Sequence, residues 1–297
     1  IEMASASGLS RVPEHERDAM AASTYGTGQL LAAAVDEGCR DLVIGFGGSA
    51  TTDGGAGLLE ALGARLRDAA GNDLPPGGGP LGGLASVDLN ELLAVLSEVR
   101  LTVASDVTNP LLGEHGAAAT YGPQKGASPE QVAELDRNLR RYADVLEGTI
   151  GRPLRYEPGT GAAGGAIFGL LAIADRFASL EVRSGVDVVM ALTGFEAGVG
   201  EADLVLTGEG LVDAQTSYGK TAMGVAERAR EAGARTICFC GGVTDEGAEF
   251  MHGLGVVTMP VTERPMTLAE CVAAGTPPIS RAATRAAALI DMAGELG

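Results

Sequence analysis

Aromatic side chains are scarce in this sequence of 297 residues. Tryptophan is absent, and phenylalanine and tyrosine bring the aromatic fraction to only 4%. Hydrophobic residues still make up 45% of the chain. A sizeable core is therefore expected, built from alanine, valine, leucine and isoleucine. The length suits two domains, since single domains usually contain about 100–200 residues.

Basic residues are also few. There are 21 lysines and arginines against 39 aspartates and glutamates, which gives a formal net charge of −18. Nucleic-acid binders need a basic stripe, and an anionic membrane surface would repel this chain, so we expect neither nucleic acid nor membrane as a partner. The acidity is compatible with an anionic ligand that Mg²⁺ accompanies.

Long apolar runs and cysteine patterns are missing as well. No segment approaches the roughly 18 apolar residues of a membrane span, and no signal peptide is recognisable. The four cysteines, Cys39, Cys238, Cys240 and Cys271, follow no disulfide or zinc-ligand spacing. These features predict a cytoplasmic protein. The sequence opens at Ile1 rather than at a methionine, so we expect further sequence upstream.

Short apolar runs alternate with helical patterns, which is typical of α/β proteins with parallel sheets. Strands are predicted at 41–44, 100–106, 202–210, 236–240 and 255–258, and a hairpin at 64–76. Helices are predicted at 26–40, 54–62, 128–148, from about 220 to 232, and from about 280 onward, and the segment 159–178 is predicted to be a glycine-rich lead into an apolar helix. The segment "GVGEA" at 198–202 predicts a division into domains at 1–200 and 201–297.

Three predicted strands lead into segments that combine glycine with a carboxylate. These segments are "GFGGSATTDGGAG" at 45–57, "SDVTNPLLG" at 105–113 and "TGEG" at 207–210. Ligands of parallel sheets bind at the carboxyl ends of strands. Glycine lets backbone N–H groups approach phosphate, and a carboxylate can hold Mg²⁺ or accept a hydroxyl proton. The combination is typical of phosphoryl transfer and predicts that Asp53, Asp106 and Asp213 meet at one site.

Two familiar nucleotide motifs are matched only in part. The spacing Gly45-x-Gly47-x-x-Ala50 fits a loose dinucleotide fingerprint, but the helix starts too late, which disfavours a dehydrogenase. The segment "YGKT" at 218–221 would complete a P-loop only if glycine stood at Ala214. Lys220 at a helix start favours phosphate, although an ordinary exposed lysine is the simpler interpretation of that residue alone.

Longer segments resemble a known family, the bacterial type-1 glycerate kinases. They are "STYGTG" (23–28), "GGSATTDGGAG" (47–57), "SDVTNPLLGEHGAA" (105–118), "YGPQKGASPEQV" (121–132), "PGTGAAGG" (158–165) and "TGEGLVDAQTSYGK" (207–220). The resemblance implies ATP, Mg²⁺ and the small-molecule substrate D-glycerate, with 2-phosphoglycerate as the expected product. It also implies two α/β domains with mainly parallel sheets and the active site in the cleft between them. One domain would be flavodoxin-like and the other Rossmann-like or restriction-endonuclease-like, and a homodimer is a possible assembly.

The resemblance also implies roles for individual residues of these segments. The expected catalytic residues are Asp53, Asp213 and Lys220, with Asp53 or Asp213 as the base. Substrate-binding residues would be Thr51, Asp106, Asn109, Lys125 and Gln215. Nucleotide-binding residues would be Gly47, Gly48, Ser49, Gly208 and Gly210, and the metal ligands would be Glu209 and Asp213.

Three features depart from the family pattern. Thr52 stands where the family usually has asparagine, and Leu211 where it usually has an arginine that could neutralise the transferred phosphate. The family's N-terminal segment, which carries an Asp-Ser-Phe-Lys-Gly motif, is absent from this sequence. Two functions therefore stay open. The first is an ATP-dependent glycerate kinase, and the second is a non-catalytic or truncated homologue that binds nucleotide or a partner without turnover.

Overall fold

The structure, a computed structural model, describes residues 1–213 and 221–295, with side chains in the second range up to Met292. It consists of two compact units, Ile1–Arg183 and Ser184–Gly297. Both are α/β, and their main sheets are parallel, which confirms the predicted fold class. Within the described ranges, no helix is both long enough and apolar enough to cross a membrane. The predicted site residues Gln215 and Lys220 lie outside the described residues.

The first unit contains six helices and five strands in its described chain. The helices are α1 (Ala4–Ser7), α2 (Tyr25–Asp36), α3 (Ala56–Ala61), α4 (Ala117–Tyr121), α5 (Pro129–Ile150) and α6 (Ala162–Ala172). The strands are β1 (Asp41–Gly45), β2 (Arg65–Arg67), β3 (Ser86–Asp88), β4 (Arg100–Ala104) and β5 (Ser179–Arg183). The order β1-β4-β5 forms the parallel sheet, while β2 and β3 form a small antiparallel pair.

The second unit carries a second three-stranded parallel sheet, in the order β6-β7-β8. Its strands are β6 (Leu204–Val212), β7 (Arg235–Val243) and β8 (Val256–Pro260). Its helices are α7 (Gly185–Thr193), α8 (Phe195–Val199), α9 (Thr221–Glu231), α10 (Asp245–Gly253), α11 (Leu268–Ala274) and α12 (Pro277–Glu295). Cys238 and Cys240 on β7 are buried and pack in the hydrophobic core of this unit.

Helix α5 shows how local sequence signals set an element. The Ser128 side chain accepts a hydrogen bond from the backbone N–H of Gln131, whose side chain accepts one from the Ser128 N–H, so the two residues form a capping box. The helix ends at Gly151, which adopts the left-handed conformation typical of a C-terminal glycine. Its buried stripe includes Leu135, Leu139, Tyr142 and Leu146, which recur every three or four residues and so share one face of the helix.

The third predicted strand lies close to its expected position. It was expected at 202–210 with glycines and an acid at its end, and β6 spans Leu204–Val212, so Gly208, Glu209 and Gly210 lie within the strand. Gly241 of β7 allows the two strands to approach closely here, because a Cβ atom on it would lie 2.5 Å from the carbonyl oxygen of Gly210. Asp213 is thus the first residue beyond the strand, while Glu209 lies within it.

The two units divide earlier in the sequence than expected. The predicted boundary at residues 200 and 201 falls after α7 and α8, whereas the structural division falls before them, between Arg183 and Ser184. Both helices contact α9, and Arg228 of α9 forms ion pairs with Asp187 of α7 and Glu196 of α8. These contacts tie residues 185–199 to the second unit.

Candidate active site

The predicted loops after β1 and β4 are neighbours in the first unit. The two strands are parallel and adjacent, with Gly45 opposite Ala104, so both loops start at the same edge of the sheet. In the first loop, Gly47 and Gly48 are exposed and Ser49 to Asp53 are buried. In the second loop, Asp106 is exposed and Asn109 is half-buried.

Asp53 lies completely inside the first unit, with 0% of its surface exposed. Its Oδ2 atom accepts hydrogen bonds from the Thr24 N–H and hydroxyl at 2.8 and 2.9 Å, and from the Gly57 N–H at 3.3 Å. The Ser23 hydroxyl adds a bond at 3.4 Å, and the Gly55 N–H donates to Oδ1 at 3.2 Å. Burial raises the pKa of Asp53, while these hydrogen bonds act to lower it. The carboxylate therefore joins the start of α2 to the start of α3.

Asp53→Asn is expected to destabilise the protein, because the amide NH₂ would face backbone N–H donors. Leaving buried groups unpaired costs about 1–3 kcal/mol each. Urea unfolding, monitored by circular dichroism, measures the change. The control is Asp36→Asn, an exposed carboxylate at the end of α2, which should shift stability by less than about 0.5 kcal/mol. Unchanged stability with lost activity would instead place Asp53 in the chemistry itself.

Lys125 is the most distinctive side chain of this region, because it is charged and only 1% exposed. Its Nζ atom donates to the Ser49 hydroxyl at 2.9 Å and to the Thr51 carbonyl at 2.5 Å. Burial lowers the pKa of Lys125 to about 8, and the nearby Asp53 carboxylate acts in the opposite direction. Within the described residues, no carboxylate accepts a hydrogen bond from this ammonium group. Its hydrogen-bond partners on the described chain, the Ser49 hydroxyl and the Thr51 carbonyl, are neutral oxygens.

A cavity of about 260 Å³ lies against Lys125. Arg17 also lines it, and in the described part of the chain the Arg17 Nε atom is buried without a hydrogen-bond partner. Asp18, another lining residue, accepts hydrogen bonds from the N–H groups of Met20 and Ala21. The cavity lining thus includes two cations, Lys125 and Arg17, and two carboxylates, Glu16 and Asp18, of which Asp18 is already engaged by backbone.

Tyr121 links Lys125 to Asn109. The Lys125 Nζ atom lies 6.0 Å from the centre of the Tyr121 ring, and the Tyr121 hydroxyl donates to Asn109 Oδ1 at 2.9 Å. The Asn109 amide donates in turn to the His115 carbonyl at 2.8 Å. Asn109 is therefore held in one orientation by its contacts with Tyr121 and His115.

A second glycine-rich segment packs directly on the first. At the start of α6, Ala163, Gly164 and Gly165 have φ values of 52°, 70° and 90°, in agreement with the glycine-rich lead into a helix expected for 159–178. The Gly54 N–H donates to the Gly164 carbonyl, and a Cβ atom on Gly164 would lie 1.9 Å from the Thr51 carbonyl oxygen. Residues 163–165 therefore fix the path of the loop that holds Lys125.

Gly164→Ala is expected to destabilise the first unit by about 1–3 kcal/mol, since the added Cβ would collide with backbone at a left-handed position. The matched control is Gly148→Ala within α5, where a Cβ atom would meet nothing within 4 Å. That change should stabilise by about 0.5–1 kcal/mol. Urea midpoints of the two variants should move in opposite directions, and equal shifts would contradict the packing described here.

The predicted residues of the second unit lie along and just beyond β6. Gly208, Glu209 and Gly210 line a cavity of about 590 Å³ at the carboxyl ends of β6 and β7. The Glu209 Oε1 atom accepts a hydrogen bond from the Gly210 N–H at 3.2 Å. Leu211 is 47% exposed, so its side chain is not part of the core.

The second unit provides carboxylates of the kind that Mg²⁺ prefers. Among the described residues, no group of three or more His, Cys, Asp or Glu side chains is arranged to hold a metal ion. Kinases, however, bind Mg²⁺ through one or two carboxylates together with phosphate oxygens and water. Glu209 and Asp213 therefore fit such an ion in donor type, although the structure gives no complete ligand set.

Sequence reasoning missed several residues that shape the region in the first unit. Thr24 holds Asp53, Tyr121 orients Asn109, and Arg17 lines the cavity beside Lys125. Thr24 belongs to "STYGTG", which the resemblance singled out without a role. Arg17 lies in a segment without periodicity, where no sequence signal was available. The structure brings Ser49, Thr51 and Lys125 into contact, and it turns Asp53 toward the protein interior.

The protein is thus an α/β protein with glycine-rich segments at the carboxyl ends of its parallel strands. In the first unit, the buried Lys125 contacts one of these segments. The chain belongs to the glycerate kinase family, which it matches over residues 1–291, so the resemblance noted in the sequence is confirmed. It is 46% identical over 255 residues to the glycerate kinase of Bacillus subtilis (strain 168), covering 86% of this chain and 66% of that protein.

Other relatives agree with this assignment. The chain is 44% identical over 285 residues to the glycerate kinase of Halalkalibacterium halodurans, covering 95% of this chain and 73% of the relative. It is 42% identical over 263 residues to the glycerate 2-kinase of Escherichia coli K12, with coverages of 88% and 68%. A crystal structure from Salmonella typhimurium LT2, assigned as glycerate kinase 2, superposes with a TM-score of 0.81 at 41% identity. The superposition includes 100% of this chain and 76% of the Salmonella chain.

Proposed function

We propose that the protein transfers a phosphoryl group from ATP to D-glycerate in the presence of Mg²⁺ and forms 2-phosphoglycerate. Relatives named glycerate kinase and glycerate 2-kinase support the substrate class. The observation that carries the proposal is Lys125, a buried ammonium group beside a cavity and glycine-rich loops. A buried charge is stable only when an opposite charge or strong hydrogen bonds compensate it.

We assign Lys125 to the carboxylate of D-glycerate. Glycerate is a small anion, and its carboxylate would pair with the buried Lys125 ammonium in the 260 Å³ cavity, whose lining also includes Arg17, Glu16 and Asp18. We propose that the hydroxyl groups of D-glycerate contact Thr51, on the loop after β1, and Asp106 and Asn109, on the loop after β4. The exposed Gly47 and Gly48 and the buried Ser49 would offer backbone N–H groups to the transferred phosphate.

The second unit is proposed to supply the remaining groups. Gly208 and Gly210 would approach the nucleotide phosphates, with Glu209 and Asp213 as the carboxylates for Mg²⁺. When bound, Mg²⁺ would neutralise charge on the phosphate oxygens, and Glu209 beside those anions needs such an ion. The proposed roles of Gln215 in substrate binding and Lys220 in catalysis follow from the family resemblance.

Between the two candidate bases, we favour Asp213. Both Asp53 oxygens already accept hydrogen bonds in the protein interior, which leaves that carboxylate poorly placed to receive a substrate proton. Asp213 directly follows the end of β6 and is half-buried. Asp213→Asn should therefore lower kcat more strongly than it changes the KM for D-glycerate.

A coupled assay with the full-length protein tests the function. D-Glycerate, ATP and Mg²⁺ are supplied, and enolase converts any 2-phosphoglycerate directly to phosphoenolpyruvate, which absorbs in the ultraviolet. Signal that appears only after a phosphoglycerate mutase is added would show that the other hydroxyl is phosphorylated. ATP binding without turnover would favour the alternative, a non-catalytic homologue.

The buried lysine predicts a pH dependence of defined sign. The pKa of Lys125 is lowered to about 8, so its ammonium form dominates below that pH and is lost above it. Because the charged form attracts the substrate carboxylate, kcat/KM for D-glycerate should be level below pH 8 and fall about tenfold per unit above it. A pH series measures this. A descending limb that persists unchanged in Lys125→Met would assign the titration to another group.

A further inference from the structure

The larger cavity of the second unit has a construction that the proposed phosphate contacts do not explain. It is formed by the carboxyl-terminal parts of β6 and β7, by residues just after β8, and by α11 with the start of α12. Its volume of about 590 Å³ falls in the usual range of small-molecule sites, about 300–1,000 Å³. Three parallel strands thus open into one space at the edge where α/β sheets bind ligands.

The lining of this cavity combines exposed backbone on some elements with apolar side chains on others. Backbone-rich residues, Gly208 and Gly210 of β6 and Gly241 of β7, form one part of the lining. Apolar side chains form the rest, including Phe239 from β7 and Leu268 and Val272 from α11. Leu268 and Val272 are largely exposed, so α11 presents apolar surface to the space rather than burying it in the core.

Such a combination suits a ligand with two chemically different ends. Glycine backbone can approach phosphate oxygens closely, whereas an apolar wall with one aromatic side chain suits a flat heteroaromatic ring. A purely apolar effector would not need the glycine-rich strand ends. Free phosphate or triphosphate would not need the apolar helix.

We propose that this cavity binds the purine base and ribose of the nucleotide, with the base against α11 and Phe239 and the phosphates toward Gly208 and Gly210. The inference rests on the proposed kinase function but concerns a different part of the site. It assigns a role to α11, which none of the sequence motifs includes. It also predicts that adenosine alone, without phosphates, occupies the same space.

A thiol-protection experiment tests the site without measuring turnover. Cys271 on α11 lines the cavity and is half-exposed, while Cys39 is exposed in the first unit and serves as an internal control. The full-length protein is treated with N-ethylmaleimide, and labelled peptides are quantified by mass spectrometry over time. Adenosine, ADP and ATP with Mg²⁺ should each slow labelling of Cys271 and leave Cys39 unchanged. Tripolyphosphate and D-glycerate should leave both rates unchanged.

A substitution on α11 provides a second readout. Val272→Asp places a charge on the apolar wall and should weaken ADP binding roughly tenfold or more, as measured by calorimetry. The matched control is Leu289→Asp on α12, which is comparably exposed and lies outside the cavity lining, and it should leave ADP affinity unchanged. Circular dichroism confirms that both variants are folded.

The outcomes separate this inference from the proposed function. Protection by adenosine together with absent kinase activity would support the base site and reject the glycerate kinase assignment for this protein. Normal kinase activity with unprotected Cys271 and an unaffected Val272→Asp variant would reject the base site and retain the function. Protection by tripolyphosphate alone would show that phosphate, rather than the base, occupies the space beside α11.

Discussion

Lys125→Met is expected to lower kcat/KM for D-glycerate by roughly 10²–10³-fold, the usual effect of removing one preorganised charged contact. Methionine keeps an unbranched side chain of similar length and removes the ammonium group that Ser49 and Thr51 now hold. The anion would then enter a cavity whose remaining cation on the described chain is Arg17. Most of the loss should appear in the KM for D-glycerate, with a smaller change in the KM for ATP.

Two controls keep this prediction specific. Arg100→Met removes one positive charge from the start of β4, at the opposite edge of the same sheet, and should leave the kinetics unchanged. Thermal unfolding shows whether each variant is folded, and D-glycerate should raise the unfolding temperature of the wild type but not of Lys125→Met. Wild-type kinetics in Lys125→Met would show that the substrate anion binds elsewhere.

Leu211→Arg is expected to increase turnover, by as much as roughly 10²–10³-fold if the arginine reaches the transferred phosphate. Phosphoryl transfer spreads negative charge over the oxygens of the moving group, and a guanidinium can hold two of them at once. Leu211 is 47% exposed and opposes Gly242 across the β6–β7 pairing. The strand therefore has room for a longer polar side chain without disturbance of the core.

The control for Leu211→Arg is Leu206→Arg, which adds the same charge to the same strand. Leu206 is 58% exposed and lies near the start of β6, whereas Leu211 lies near its end, directly after the segment 207–210. Steady-state kinetics with D-glycerate and ATP should show a gain only for the variant at 211. Equal gains would indicate a general effect of net charge, and a loss at 211 would show that this position does not handle phosphate.

The elements that sequence predicts best are those whose signals are local. Helix α5 carries its own cap and stripe, so its bounds at Pro129 and Ile150 lie close to the expected 128–148. Strand β5 was missed because "SLEVR" places two charged side chains in five residues, and these are accommodated at the edge of the sheet. Strand β6, Leu204–Val212, lies within two residues of the expected 202–210, and Gly241 of β7 allows close pairing with it.

For the site, the sequence predicted which segments matter better than it predicted where their side chains point. Asp53 and Lys125 were both selected, yet their burial depends on partners that lie far along the chain. Thr24 lies 29 residues from Asp53, and Ser49 lies 76 residues from Lys125. Pairings of this kind arise from tertiary packing, which a single sequence does not encode in any periodicity. The cavity beside α11 was missed for the same reason.

The strand order of the two sheets has a consequence for synthesis on the ribosome. Strand β1 ends at Gly45, but its neighbour β4 begins only at Arg100, and β5 completes the sheet at Arg183. In the second sheet, only residues 213–234 separate β6 from β7, and residues 244–255 separate β7 from β8. Contacts between distant residues form slowly, and nascent chains with unpaired apolar strands are prone to aggregation. During translation, Leu42 and Ile44 of β1 therefore stay unpaired with β4 until residues 100–104 have been synthesised. We expect the first unit to depend on chaperones more than the second.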